Sequence, residues 1–320
     1  MAYTAGDTIL DDEYNTFANN STSPFGYNHF AATGSGRYGL GESALSTVSA
    51  GDTVAASSWN ALFTGMSTVA GHTGDTLTSR SAISAGDTIA IANAVATDLA
   101  TLAASVEAGS PNTSAVTTSS TLQTGTSSSS WYGSFTTTFT VTFASANALR
   151  FFCNAGGKIR VHMARTGNGS SGGGATGKDS EWDAIYTAVG NIDIASKQST
   201  RSGSGETLTT DGLANGISDL GTSNTTIITV SSDTYPYTAN NLKVEAKLNA
   251  AFGTATIVTV TVTATDGAAD TTFSNPGSAD ATAYRNGTHQ HYLKTIDTTT
   301  GGGLANAYAP SSTGSSASTS

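Results

Sequence analysis

Charge is the scarcest thing in this sequence. Asp, Glu, Lys and Arg make up 11% of its 320 residues, against about 25% in an ordinary soluble chain. What charge there is leans acidic, with 23 Asp and Glu against 13 Lys and Arg and a formal net charge of −10. Nucleic-acid binding draws on Lys and Arg to release condensed counterions, and no basic block reverses the balance locally, so no nucleic-acid partner is expected. The one cysteine, Cys153, permits no internal disulfide, and the chain is not a disulfide scaffold. No apolar run approaches the ~20 residues of a membrane-spanning helix, and the opening MAYTAGDTILDDEY has neither the basic region nor the apolar core of a secretory signal. The expectation is a chain made in a cytoplasm that, if it works outside, leaves by assembly or lysis.

Gly, Ser, Thr and Ala dominate instead, yet β-branched and aromatic residues recur in strand-like runs, which disordered chains lack. The clearest run is Ser134–Arg165. Phe135, Phe139, Val141 and Phe143 alternate with Thr136, Thr138, Thr140 and Thr142, the period of a half-buried strand. Leu149–Asn154 is expected to be a second strand, Ala155-Gly156-Gly157 a hairpin connection, and Lys158–Arg165 a third strand, giving a three-stranded meander. Its apolar face is expected to be covered by later strands, predicted at Thr225–Ser231, Leu242–Asn249, Thr256–Thr265 and within Thr282–Ile296. A short helix opening near Asp179, with Ser180 as its cap, places Trp182, Ile185 and Val189 on one face. About seven strands with one inserted helix make an antiparallel β-sandwich.

The first hundred residues contain an internal repeat. Thr4-Ala5-Gly6-Asp7-Thr8-Ile9 returns as Ser49-Ala50-Gly51-Asp52-Thr53-Val54 and as Ser84-Ala85-Gly86-Asp87-Thr88-Ile89. In the first two copies an Asn follows at the same offset (Asn15, Asn60), preceded by Tyr14 or Trp59 and followed by Phe17 or Phe63. Asp12 and Ser57 are the expected helix caps. The third copy leads into an Ala-rich helix near 90–107 with Ile91, Val95, Leu99, Leu102 and Val106 on a narrow stripe, suited to packing on another helix or on copies of itself. The predicted class is therefore α+β, mainly β. Residues 1–107 form a helical attachment and oligomerisation region, 108–133 a Ser/Thr-rich linker, 134–300 a sandwich-like display domain, and 301–320 a flexible Gly/Ser-rich tail.

No motif marks catalysis. The histidines His29, His72, His162, His289 and His291 form no zinc-type pattern, and no Ser sits in a nucleophile elbow. Carboxylate pairing is a property of three dimensions that the sequence hides. Gly34, Gly36 and Gly39 match G-x-G-x-x-G, but no strand precedes them and no Lys-Ser/Thr follows, so the expectation is turns and no cofactor. His289-Gln290-His291 is the one metal candidate: on a strand both imidazoles face one way, and three copies around a threefold axis could supply six nitrogens to an ion. The plainer reading is two polar residues on a solvent-facing strand. Asp turns such as Thr265-Asp266-Gly267 are turn formers before they are calcium ligands.

The phrases AGDTI…EYNTF, FGYNHF…GSGRYGLG, SAGDTVAASSWNALFTGM and ANALRFFCNAGGKIRVHMARTG resemble those of tailed-phage virion structural proteins, particularly of cyanobacterial and marine phages. The resemblance runs to about Arg165 and thins beyond Trp182, and Cys153 stands where a Phe or another strand former is expected. It implies a non-enzymatic virion component of the tail, neck or fibre, assembled in the host cytoplasm. Such a protein would be a homo-oligomer (a trimer is common in such appendages) that contacts other virion proteins through its N-terminal half. A capsid decoration or a receptor- or glycan-binding protein is the alternative, with Trp131, Tyr132 and Tyr235 as sugar-stacking aromatics, and a depolymerase is a third reading.

Overall fold

The computed structural model of the chain describes residues 11–85, 92–109, 111, 116–118, 123–127, 131, 133–166, 177–268, 288–298 and 310–319. The core of the first repeat and most of the third lie outside these residues, as does Tyr132. Two compact units emerge, and neither is continuous in sequence: one comprises 1–117, 145–157 and 297–309, the other 118–144, 158–296 and 310–320.

The first unit is helical. Its helices are α1 (Asp11–Asn19), α2 (Tyr27–Phe30), α3 (Ala56–Thr73), α4 (Ala92–Ala108) and α5 (Ala146–Asn154). Trp59 is fully buried and meets Tyr14 edge-on, with ring centroids 5.5 Å apart. The stripe Val95, Leu99, Leu102 and Val106 on α4 is buried in this same core together with Ala103, while Ala100 and Ala104 are exposed. Ser57 does not cap α3; the helix begins at Ala56 behind Ala55, which makes no side-chain cap.

Helix α5 corrects the strand expected at Leu149–Asn154. Ser145 stops the preceding strand and caps the helix by accepting from the Ala148 amide at 3.1 Å. Leu149, Phe152 and Cys153 then recur at i, i+3 and i+4 on a buried face, a spacing that a six-residue apolar run cannot distinguish from a strand. Gly156, at φ +90°, closes the helix instead of turning a hairpin, donating its amide to the Cys153 carbonyl at 3.0 Å.

The repeated asparagines have a common task. Asn15 donates to the Val48 carbonyl and accepts from the Val48 amide, both at 2.8 Å. Asn60 does the same for Ile83, at 2.9 and 2.8 Å. Val48 and Ile83 each stand immediately before a Ser-Ala-Gly-Asp phrase, so the helix of one repeat anchors the entry to the next. Asn28 holds Leu45 in the same two-sided way, at 2.9 and 2.7 Å.

The second unit is the mainly β part. Its elements, with those bordering it, are β1 (Val116–Thr118), β2 (Gln123–Ser127), β3 (Ser134–Thr142), β4 (Lys158–Thr166), helix α6 (Gly177–Val189), β5 (Ile192–Ile194), β6 (Ser199–Arg201), β7 (Thr207–Asp211), β8 (Thr225–Ser231), β9 (Asn241–Leu248), β10 (Ile257–Thr265), β11 (Thr288–Thr298) and β12 (Ser312–Thr319). They form two six-stranded sheets. One runs β1-β11-β4-β5-β6 with β2 also on β11; the other runs β12-β3-β10-β9-β8-β7. Every strand pairing resolved residue by residue is antiparallel. The expected meander does not form: β3 and β4 belong to different sheets because the chain between them is spent on α5. Nor is the tail flexible throughout, since Ser312–Thr319 pairs along β3 with Ser315 opposite Phe139. That pairing uses backbone groups alone, so a Ser-rich segment can cover the otherwise open edge of β3.

The alternation turns one face of the β3-β10-β9 sheet inward. Phe139, Val260 and Ala246 lie side by side across β3, β10 and β9, followed by Val141, Val258 and Leu248, and all six are buried. Replacing Asn60 by Ala leaves the Ile83 amide and carbonyl without their partner, so denaturant unfolding is expected to lose about 1–3 kcal/mol. Hydrogen exchange at Ile83 should accelerate while β3 and β10 keep their protection.

Candidate functional site

The histidine pair is where the sequence placed it in one respect and not in another. His289 and His291 do share a face of β11, but that face is the interior, and both are fully buried. His289 Nδ1 is hydrogen-bonded with the Tyr186 hydroxyl at 2.8 Å, and His291 Nδ1 with Thr137 Oγ1 at 3.0 Å. Trp131 lies edge-on to His289 with centroids 5.4 Å apart, and Phe135 covers His291 at 4.4 Å. Burial, reinforced by the neighbouring His289, pushes the His291 imidazole down to about 3, so it is neutral at ordinary pH. Neither ring is solvent-facing, and neither can reach an ion on an external threefold axis. The pair is a polar bolt inside the β unit.

Thr137 is the partner the sequence reading passed over. It interrupts the apolar series Phe135, Phe139, Val141 on the inner face of β3 and is itself fully buried. Gly125, paired opposite His291, lets it approach: a Cβ there would stand 2.2 Å from Thr137 Cγ2. A hydroxyl breaking an apolar alternation, in a chain that also carries a His-x-His strand, was the available signal.

The G-x-G-x-x-G loop faces a cation of the protein itself. Gly34, Gly36 and Gly39 all have positive φ, and the bends turn backbone carbonyls toward α5. Arg150, buried, donates to the Tyr38 carbonyl at 2.5 Å and the Thr33 carbonyl at 2.6 Å, while Asn154 donates to Gly39 at 3.0 Å. A phosphate cradle presents amides; here the carbonyls point inward. Cys153 is fully buried beside them, and burial pushes its thiol up, away from the thiolate form. Of the aromatics named for sugar stacking, Trp131 is core, packed on Trp182 at 5.6 Å. Tyr235 is 82% exposed.

The structure also joins three acids that no motif connects. Glu206 precedes β7 and Asp233 follows β8, and the register Thr207↔Ser231 puts both at the same end of that strand pair. Helix α6 packs on β8 and brings up Glu181. One carboxylate oxygen from each lies within 4.8 Å of the others. Glu206 Oε2 accepts from the Asp233 amide at 2.8 Å, and Glu206 has φ +48°, the one positive φ outside glycine among the described residues. Burial raises the Glu206 carboxyl above its ordinary value; the Asp233 amide pulls it down, and the facing Glu181 and Asp233 charges and a side-chain hydrogen bond with Glu181 push it up again.

No family model, curated protein or solved structure matches this chain. Its chemistry rests on its own residues.

The buried imidazoles have a consequence for acid stability. The unfolded chain takes up a proton on each histidine near pH 6.5, whereas His291 in the folded unit resists protonation down to about 3. The unfolded state therefore binds more protons below pH 6.5, and stability falls with pH at up to about 1.4 kcal/mol per unit for such a group. His162, lowered by burial and then by Lys294 and Arg160, adds to the slope. Urea unfolding between pH 7.5 and 5, followed by the fluorescence of Trp131 and Trp182, should lose stability steadily. His291→Leu should flatten that slope without abolishing it.

Proposed function

We propose that this chain is a non-enzymatic structural component of a phage virion, an oligomeric tail, neck or fibre protein that docks through its N-terminal region and displays its β unit. The observation that carries the reading is the outer face of the β12-β3-β10 sheet. Thr136, Thr138 and Thr140 stand in register beside Thr263, Thr261 and Thr259, with Ser318, Ser316 and Gly314 beyond them. Charge begins only on β9, with Lys243, Glu245 and Lys247. A hydroxyl face with little charge sheds water at modest cost, because no ion has to be desolvated when another protein surface covers it. Proteins built to be packed side by side benefit from such a face. The resemblance of its sequence phrases to those of virion structural proteins is in keeping with this reading.

A second reading, attachment to a host surface glycan, is favoured by one residue. Tyr235 presents an exposed ring on the loop after β8, the position from which an aromatic can stack on a sugar.

Mass measurement on the purified protein is expected to give a defined homo-oligomer, and peptide mapping of purified particles is expected to find the chain in fixed stoichiometry. A stable monomer together with absence from particles would overturn the virion reading. Glycan-array binding that Tyr235→Ala abolishes would transfer the weight to attachment.

A further inference from the structure

Acidic side chains normally gather near one another only where a Lys, an Arg or a set of amides holds them. Arg160 grips Asp193 in this way with two hydrogen bonds at 2.5 and 2.8 Å, and Arg165 lies against both Asp179 and Asp183. Glu181, Glu206 and Asp233 break this pattern. No salt bridge among the described residues reaches any of the three. Glu181 is 6% exposed, its carboxylate belongs to the cluster, and its Oε1 is buried without a hydrogen-bond partner. Glu181 and Glu206 also stand within hydrogen-bonding reach of each other, a contact that two carboxylates make only by keeping a proton between them or by sharing a cation, and the buried Glu181 oxygen that no donor reaches favours a cation from solution.

We propose that Glu181, Glu206 and Asp233 bind a Ca2+ ion that ties the start of α6 to the end of the β7–β8 pair. The donor chemistry selects the ion. All three ligands are hard carboxylate oxygens, with no His or Cys in the group to favour zinc or copper. Two oxygens on one Ca2+ can stand up to about 4.6–5.2 Å apart, twice the usual Ca–O distance, and the three acids lie within 4.8 Å of one another. Asp233 is exposed, leaving one side open to the waters that complete a coordination shell of about 6–8 oxygens. Mg2+ needs near-ideal octahedral geometry and gives up its water reluctantly, so a site assembled from a helix and two loop ends suits it less. The proposal goes beyond the virion reading and holds or fails independently of it.

The full-length protein, stripped with EDTA and exchanged into chelator-free buffer, provides the test. Isothermal titration with CaCl2 is expected to show one ion per chain, with a dissociation constant of about 10⁻⁵–10⁻³ M, the range of partly open carboxylate sites. Thermal unfolding in 10 mM CaCl2 should rise by about 4–8 °C over an NaCl control of equal ionic strength. Tb3+ should luminesce when excited through Trp182, the neighbour of Glu181. Glu206→Gln separates an ion site from a merely structural acid: without Ca2+ it should melt at or above wild type, because repulsion is relieved, yet show no rise when Ca2+ is added. Asp233→Asn, on the exposed loop, should weaken binding at least tenfold and serves if the Glu206 variant does not fold. The proposal is overturned if the wild type shows no saturable heat and no rise beyond the NaCl control. An equal response to Mg2+, or wild-type affinity in Asp233→Asn, overturns it as well.

Discussion

Backbone amides and carbonyls outside helices and sheets still have to find partners, and in the helical unit they find them in side-chain amides. Residues 41–55 and 75–84 include long stretches that belong to no helix or strand. Water could serve the exposed groups, but the stretches run against the helices, and Leu45, Val48 and Ile83 are half-buried in the hydrophobic core. Asparagine solves this because one planar amide offers a donor and an acceptor at the spacing of a backbone N–H and C=O, as a neighbouring strand would. Asn15, Asn28 and Asn60 each use both atoms on one residue. The repeat in the sequence is therefore a repeat of anchor and anchored segment. It stops at the third copy, where the equivalent position is Val95, buried in the core with no backbone to hold.

The same economy of charge governs the interior of the β unit. Two sheets that pack through Phe, Val and Leu alone tolerate sliding, because apolar contacts are non-directional. The bonds from His291 to Thr137 and from His289 to Tyr186 are directional and lie in a dry interior, where an unmade bond is expensive. They fix which residue of β11 faces which residue of β3 and of α6. Gly125 is the complement to this choice: only a residue without a Cβ allows Thr137 to rise far enough to meet the ring. His291 does this work as a neutral ring, and the acid lability follows from that choice of bolt.

Much of this was legible from the residues and some was not, for identifiable reasons. Strands β3, β9 and β10 alternate strictly, and half-buried sheets announce themselves in that way; the mixed, mainly β class followed from counting them. The apolar run at Leu149–Asn154 is too short to carry a period, and the decisive residue was the Ser145 cap outside it. Strand β12 has no apolar pattern at all, since an edge strand on a polar tail is recruited by the backbone of β3 and not by its own side chains. The direction of the His289-Gln290-His291 face was readable, but whether it points inward depends on β2 and β4 on either side of β11. Glu181, Glu206 and Asp233 are separated by more than twenty residues each and come from a helix, a pre-strand turn and a post-strand loop. Only the register of β7 with β8 brings two of them together.

Scarcity of charge gives this last grouping its meaning. In a sequence rich in Asp, Glu, Lys and Arg, three neighbouring acids are a common accident of the surface, solvated and screened. Here 23 acids are spread over 320 residues, and several are committed to a guanidinium, an amide or a turn. Asp98 accepts from Arg80 and from the Thr78 amide, Asp193 from Arg160, and Asp219 from the Gly216 amide. Against that background, a cluster in which one member is buried with an oxygen that no donor reaches is not explained by surface statistics or by the needs of the fold, since an Asn or Gln in the same places could make the Asp233 amide contact without the repulsion. A cation from solution supplies what the chain withholds. It also makes the link between α6 and the β7–β8 end conditional on the medium, so that part of the β unit's rigidity is set by the ions around it and not by the sequence alone.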